Sequence, residues 1–292
     1  MKTDPLIVPG LAAVAARYDA FVLDLWGCVH DGLKPYPGVP ETLATLRRNG
    51  KRVLLLSNVP RRVGPVQEML QRMGIGPELY DLILSSGESA WRALRLRSDA
   101  AHAGLGRVGF HLGPARDVTI FEDDAALRGE DPAAADFVLC TGPTKDHASL
   151  DSHEPILQQC RARALPMLCA NPDLWVMRGD QRLVCAGLIA QRYAELGGSV
   201  IYHGKPHPQV YATALELLGR PAPARVLCVG DGVLTDIAGA NAAGLDSALI
   251  PGGIHGEVHG LVMGELPTAD RLARLLADHT ARPTFAIPSL CW

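Results

Sequence analysis

The residues of this chain best suited to chemistry lie far apart in sequence but share one setting. Asp24 ends the apolar run Phe21-Val22-Leu23, and Gly27 comes soon after it. Ser57-Asn58 end the run Arg52-Val53-Leu54-Leu55-Leu56. Lys205 stands in His203-Gly204-Lys205-Pro206-His207-Pro208. Asp231 comes after Arg225 to Val229 within Gly230-Asp231-Gly232, with Thr235-Asp236 beyond it. A carboxylate such as Asp24 can act as a nucleophile and form an aspartyl-phosphate. A lysine offsets the charge of a carboxylate and a phosphate crowded together. The Ser57 hydroxyl and backbone N–H groups can hold phosphate oxygens. Asp24 and Asp231 offer hard oxygen ligands for Mg²⁺, which lowers repulsion between two anions.

Each residue alone has a plainer use. Asp24 could cap a turn, Ser57 and Asn58 the helix after them, and Thr235-Asp236 the start of another. His203 and His207 straddle Gly204 and Pro206, so no regular helix presents both, which argues against zinc. Glu122-Asp123-Asp124 reads as a solvated loop.

The elements that must position these groups alternate. Phe21 to Leu23 reads as a buried parallel strand, 39–49 as a helix, 52–56 as a strand, and Val63, Val66, Met69, Leu70 and Met73 as the apolar face of a helix. Strand–helix alternation implies a parallel sheet with right-handed crossovers. All C-terminal strand tips then lie along one edge, where open α/β sheets bind ligands. Residues 1–19 read as a short lead-in helix. In the middle, 82–84, 107–112, 118–121, 135–140 and 166–170 read as strands, and 88–96 and 154–163 as helices. Later, 187–196 and 210–218 read as helices, 225–229 and 247–250 as strands, and the tail as one helix with a Pro-rich end. The fold class is α/β: a Rossmann-like core of residues 1–86 and 185–292, with an inserted α/β module at 87–184.

Composition narrows the partners. The 292 residues carry 20% charged and 48% hydrophobic side chains and a net charge of −3, so neither a nucleic-acid surface nor a polybasic membrane patch is expected. Pro9 and Gly10 interrupt Leu6 to Ala16, so the N-terminus reads as neither a signal peptide nor a membrane span. Seven cysteines with no Cys-x-x-Cys read as reduced core residues in the cytoplasm.

Asp24 opening a strand-tip loop, Ser57-Asn58, Gly204-Lys205-Pro206 and Gly230-Asp231-Gly232-x-x-Thr235-Asp236 resemble the four motifs of the haloacid dehalogenase (HAD) superfamily. Their order and separation, with a long insert between the second and third, resemble subclass IIA, which holds nitrophenyl-phosphatase, pyridoxal-phosphate-phosphatase and nucleotide-phosphatase-like enzymes. The resemblance implies an Mg²⁺-dependent hydrolase acting on a small phosphorylated metabolite. Asp24 would be the nucleophile and a metal ligand, the Trp26 carbonyl and Asp231 further ligands, Ser57, Asn58 and Lys205 the phosphate site, and Asp236 a support. The insert would be a cap, with Thr141 and Lys145 of one loop and Asn171 of the Ala170-Asn171-Pro172-Asp173 turn as substrate candidates. Members of the subclass often pair through their caps, which implies a homodimer.

One position departs from that pattern. The superfamily's phosphatases carry a second aspartate two residues after the nucleophile, where it protonates the leaving alcohol and then activates water. Here Trp26 stands instead, and an indole has one weakly acidic donor and no basic site. His30 and Asp31 are the nearby candidates for a substitute acid/base. Trp26 opens two other readings: a phosphate-ligand binding or regulatory protein with little turnover, and a dehalogenase-like hydrolase, since halide leaves without a proton.

Overall fold

A computed structural model of the chain describes residues 4–145, 148–178 and 181–292. In chain order its strands are β1 Leu6–Ile7, β2 Ala20–Asp24, β3 Arg52–Ser57, β4 Leu82–Ser85, β5 Val108–Leu112, β6 Leu127–Gly129 and β7 Phe137–Cys140. They continue with β8 Met167–Cys169, β9 Trp175–Arg178, β10 Gln181–Val184, β11 Val200–Tyr202, β12 Val226–Gly230, β13 Asp246–Leu249 and β14 Phe285–Ala286. The chain divides into two compact units, one of residues 1–57, 66–84 and 205–292, the other of 58–65 and 85–204.

The first unit is built on a seven-stranded sheet of order β1-β14-β13-β12-β2-β3-β4. β12 pairs in parallel with both β2 and β13, and β2 in parallel with β3. Every residue of β2 and β12 is buried, as expected of central strands covered on both faces. On one face Val22, Leu54, Leu56, Val226 and Cys228 pack with Val210, Tyr211 and Ala214 of the helix Pro208–Leu217. Full burial of each such aliphatic side chain contributes about 1.5–3 kcal/mol. Because β12 lies beside β2 in parallel, their C-terminal ends bring Asp24 and the Gly230-Asp231 turn to the same edge.

The second unit carries a five-stranded sheet, β11-β8-β7-β5-β6, and the hairpin β9–β10. Alternation along β7 divides its side chains between two cores. Val138 and Cys140 pack with Leu157, Ile189 and Tyr193, while Phe137 and Leu139 pack with Ala90, Leu94 and Ile120.

Four expectations change. The lead-in is β1 and then two single 3₁₀ turns, Leu11–Ala13 and Ala15–Arg17. Leu6–Ile7 pairs with β14, and Pro9-Gly10 prevent a continuous helix beyond it. Residues 118–121 lie within 3₁₀ turns spanning Ala115–Asp124, where Asp117 is buried against Arg61 and the chain kinks at Glu122 and Asp123. The boundary of the insert moves from 184 to 204, since β11 pairs with β8 and the helix Ala186–Glu195 packs on that sheet. Residues 58–65 also join the second unit.

Candidate active site

Asp24, Lys205, Asp231 and Asp236 meet at the strand tips of the first unit, each almost wholly buried. The Lys205 ammonium donates to Asp24 Oδ1, and to Asp236 Oδ1 at 2.8 Å. Oxygens of Asp24, Asp231 and Asp236 all lie within 4.8 Å of one another. Local structure explains these positions. One π-type turn, Val233–Ile237, succeeds the β12 tip, so Asp236 Oδ2 folds back to accept the Gly232 N–H at 3.0 Å. Ile254 N–H donates to Asp231 Oδ2 at 2.7 Å. A Cβ at Gly27, where φ is +82°, would fall 1.9 Å from Asp231 Oδ2, and one at Gly253 would fall 2.2 Å from it. Only glycine allows the two loops to close on this carboxylate.

The electrostatics reflect this crowding. Burial, then the Asp236 charge, pushes Asp24 well above the ordinary carboxylate range, against the pull of Lys205. The same two causes, burial first, raise Asp231 to about 7. Burial alone would lower the Lys205 ammonium, but the carboxylates of Asp236 and Asp24 outweigh it and push it up. With all three carboxylates ionised against one ammonium, the dry site would lack about two positive charges, which is why the carboxyl groups are pushed toward protonation unless a cation is bound. The donor set, three carboxylates with oxygens gathered in one small space, suits a hard cation such as Mg²⁺.

The other expected site residues have definite places. Ser57 ends β3 and is buried. Asn58 belongs to the second unit, and its amide donates to Asp173 Oδ1 at 2.8 Å. Trp26 is 42% exposed. Its ring meets His30 edge-on at 5.7 Å, and a Cβ on Gly32 would come within 2.4 Å of it. His30 is 1% exposed. Its Nδ1 accepts the Gly32 N–H at 3.0 Å, and its Nε2 is buried without a partner. Burial pushes this ring down to about 4. Asp31 Oδ1 accepts the N–H groups of Leu33 and Lys34, at 2.8 and 2.9 Å. The Lys34 bond is the main cause holding its carboxyl below the usual range.

In the second unit, Thr141 is buried with Oγ1 at 2.9 Å from His111 Nε2, and Lys145 is exposed. Asn171 Oδ1 accepts the Asp173 N–H at 3.0 Å, closing its own turn. Sequence reasoning missed the Gly253-Ile254 loop that holds Asp231. Pro251-Gly252-Gly253 after a strand was the available signal.

A parallel sheet with carboxylates and a lysine at its central tips defines a class of α/β hydrolase. Profiles described as haloacid dehalogenase-like hydrolase match residues 21–118 and 101–244, and a HAD-hydrolase-like profile matches 202–290. A crystal structure of a haloacid dehalogenase-like family hydrolase from Brucella suis is 31% identical over 97% of this chain and 100% of its own, with a TM-score of 0.81. The chain belongs to the haloacid dehalogenase-like hydrolase family. Among named relatives, human chronophin is 27% identical across 84% of each chain. The D-glycerol 3-phosphate phosphatase of Mycobacterium tuberculosis is 28% identical across 84% of this chain and 66% of its own.

Proposed function

We propose that the protein is a phosphatase that hydrolyses a small phosphomonoester through an aspartyl-phosphate at Asp24, with Mg²⁺ as cofactor. The observation that carries this reading is the buried cluster of Asp24, Asp231 and Asp236 around a single Lys205. A cluster so deficient in positive charge fits a cation, and Asp24 lies where it can face a phosphoryl group at the strand tips. Two relatives named for phosphatases or phosphate esters point the same way. In this reading Asp24 attacks phosphorus, Lys205 offsets the charge on the phosphoryl oxygens, and Ser57 holds one of them. Asp236 positions Lys205. Asp24, Asp231 and the Trp26 carbonyl would hold the Mg²⁺, which when bound lowers the repulsion between the nucleophile and the phosphoryl group.

Trp26 favours a second reading, a phosphate-binding protein with little turnover, because its indole supplies no acid or base. One experiment separates the two. Phosphate release from 4-nitrophenyl phosphate is measured with Mg²⁺ for the wild type and Asp24→Asn. Release by the wild type that Asp24→Asn abolishes supports the enzyme. If the wild type releases none while still binding inorganic phosphate, the binding protein stands.

A further inference from the structure

Phosphoryl transfer leaves an electron pair on the departing oxygen. An alkoxide needs a proton as it leaves, whereas an oxyanion delocalised into a planar group does not. Five groups of the loop after Asp24 carry or could carry a proton. The Cys28 thiol is turned to the Val229 carbonyl oxygen, and the Tyr36 phenol is a weak acid. The other three are Trp26, His30 and Asp31. The Trp26 indole N–H is a donor with no useful acidity. His30 Nδ1 accepts the Gly32 N–H, so the ring is the neutral tautomer with its single proton on Nε2, which a neutral imidazole does not give up. Asp31 Oδ1 accepts two backbone N–H groups and so serves as a turn-capping carboxylate. Near Asp24, both Asp231 and Asp236 also accept hydrogen bonds, from Ile254 N–H and from Lys205 and Gly232 N–H respectively, and as a ligand of Mg²⁺ Asp231 would be held ionised.

The same loop offers something else. The Trp26 indole is braced by Gly32, where no Cβ would fit, and by the edge of His30. It is still 42% exposed, a fixed, flat, apolar surface two residues from the nucleophile.

We infer that the substrate is a phosphate ester of a planar, resonance-stabilised leaving group, of the aryl or enol class, and that Trp26 is the specificity-determining residue that stacks on it. This rests on the phosphatase reading above. An Asp24 carboxylate oxygen bonds to phosphorus while the P–O bond to the leaving group breaks, its electron pair departing as the delocalised oxyanion. Water oxygen then bonds to phosphorus and the Asp24–phosphorus bond breaks, its pair restoring the carboxylate. The two protons of the water go to the released phosphate, one of them exchanging with solvent.

The test is a leaving-group series. Rates with Mg²⁺ are compared for 4-nitrophenyl, phenyl, enol (phosphoenolpyruvate) and alkyl (ethyl and glycerol) phosphates, for the wild type, Trp26→Asp, Trp26→Ala and Asp24→Asn. General acid catalysis is worth about 10²–10⁴-fold. The wild type should therefore turn over the alkyl esters at least about 10²-fold more slowly than the planar ones in kcat/KM. Trp26→Asp should narrow that gap by raising the alkyl rates. Trp26→Ala should raise KM for the aryl esters and leave the gap open. Equal wild-type rates on alkyl and aryl esters would overturn the inference and leave the phosphatase reading standing. An unchanged aryl KM in Trp26→Ala would overturn the stacking role. No Asp24-dependent hydrolysis of any ester would overturn both.

Discussion

The two units each bury a polar network, and they close it differently. In the second unit a chain of hydrogen bonds runs from Asp99 through His102 and His203 to Ser89. Asp99 Oδ2 lies 2.7 Å from His102 Nδ1, the two Nε2 atoms lie 3.0 Å apart, and His203 Nδ1 lies 3.0 Å from Ser89 Oγ. Neutral tautomers satisfy every link: His102 Nδ1–H donates to Asp99, His203 Nε2–H to His102, and the Ser89 hydroxyl to His203. The charge in this series then rests on Asp99, which is exposed. The first unit gathers three buried carboxylates and one ammonium, which balance only if two carboxyl groups take protons or a cation joins them. Burial of polar groups therefore does not mark a site in this molecule. Unbalanced charge does, because a network satisfied by its own atoms has no need of a ligand.

This contrast can be broken at several points. Asp24→Asn should lower phosphatase kcat by at least about 10³-fold, measured as phosphate release, whereas Ser89→Ala should leave kcat within about twofold. Lys205→Ala should cost about 3–5 kcal/mol, the penalty for leaving buried charges unpaired, read from urea unfolding without metal. Ser89→Ala, which removes one neutral hydrogen bond, should cost about 1 kcal/mol. Equal losses in the two variants would erase the distinction. Mg²⁺ at a hundred times its Kd should stabilise the protein by about 2.7 kcal/mol. A thermal shift would show this gain in the wild type and Ser89→Ala but not in Asp231→Asn.

A further contrast concerns pH dependence in the second unit. Burial, then the nearby Arg128 charge, pushes His111 down to about 4 from its usual 6.5. As pH falls, the unfolded chain therefore takes the proton first. His111 costs nothing above pH 6.5 and destabilises the fold between 6.5 and about 4. Denaturation midpoints over that range should fall less steeply in His111→Gln than in the wild type.

The strand that carries Asp24 was readable because Phe21-Val22-Leu23 has no polar interruption and Gly27 follows soon after; the same logic exposed Asp231 and Ser57. Three things were hidden. Residues 118–121 have strand-like composition, but an ion pair between Arg61 and Asp117 fixes the neighbouring backbone as turns. β11 is three residues long and half-buried, so nothing local says which sheet it joins. β1 and β14 are two-residue strands that exist only through edge pairing with partners far along the chain. At the site, residue types were legible and their partners were not. No spacing rule ties the Asn58 amide to Asp173, or His30 Nδ1 to the Gly32 N–H.

The position of β12 beside β2 also sets a schedule. Ala20 pairs with Val226, about 200 residues later, while β3 on the other side is complete within about 40. A ribosome adding about 5–20 residues per second would leave one edge of this apolar strand unpaired for about 10–40 s. For that time the strand carrying Asp24 is a sticky edge on a nascent chain. The ordering that makes the site thus makes its central strand the segment most in need of chaperone cover during synthesis.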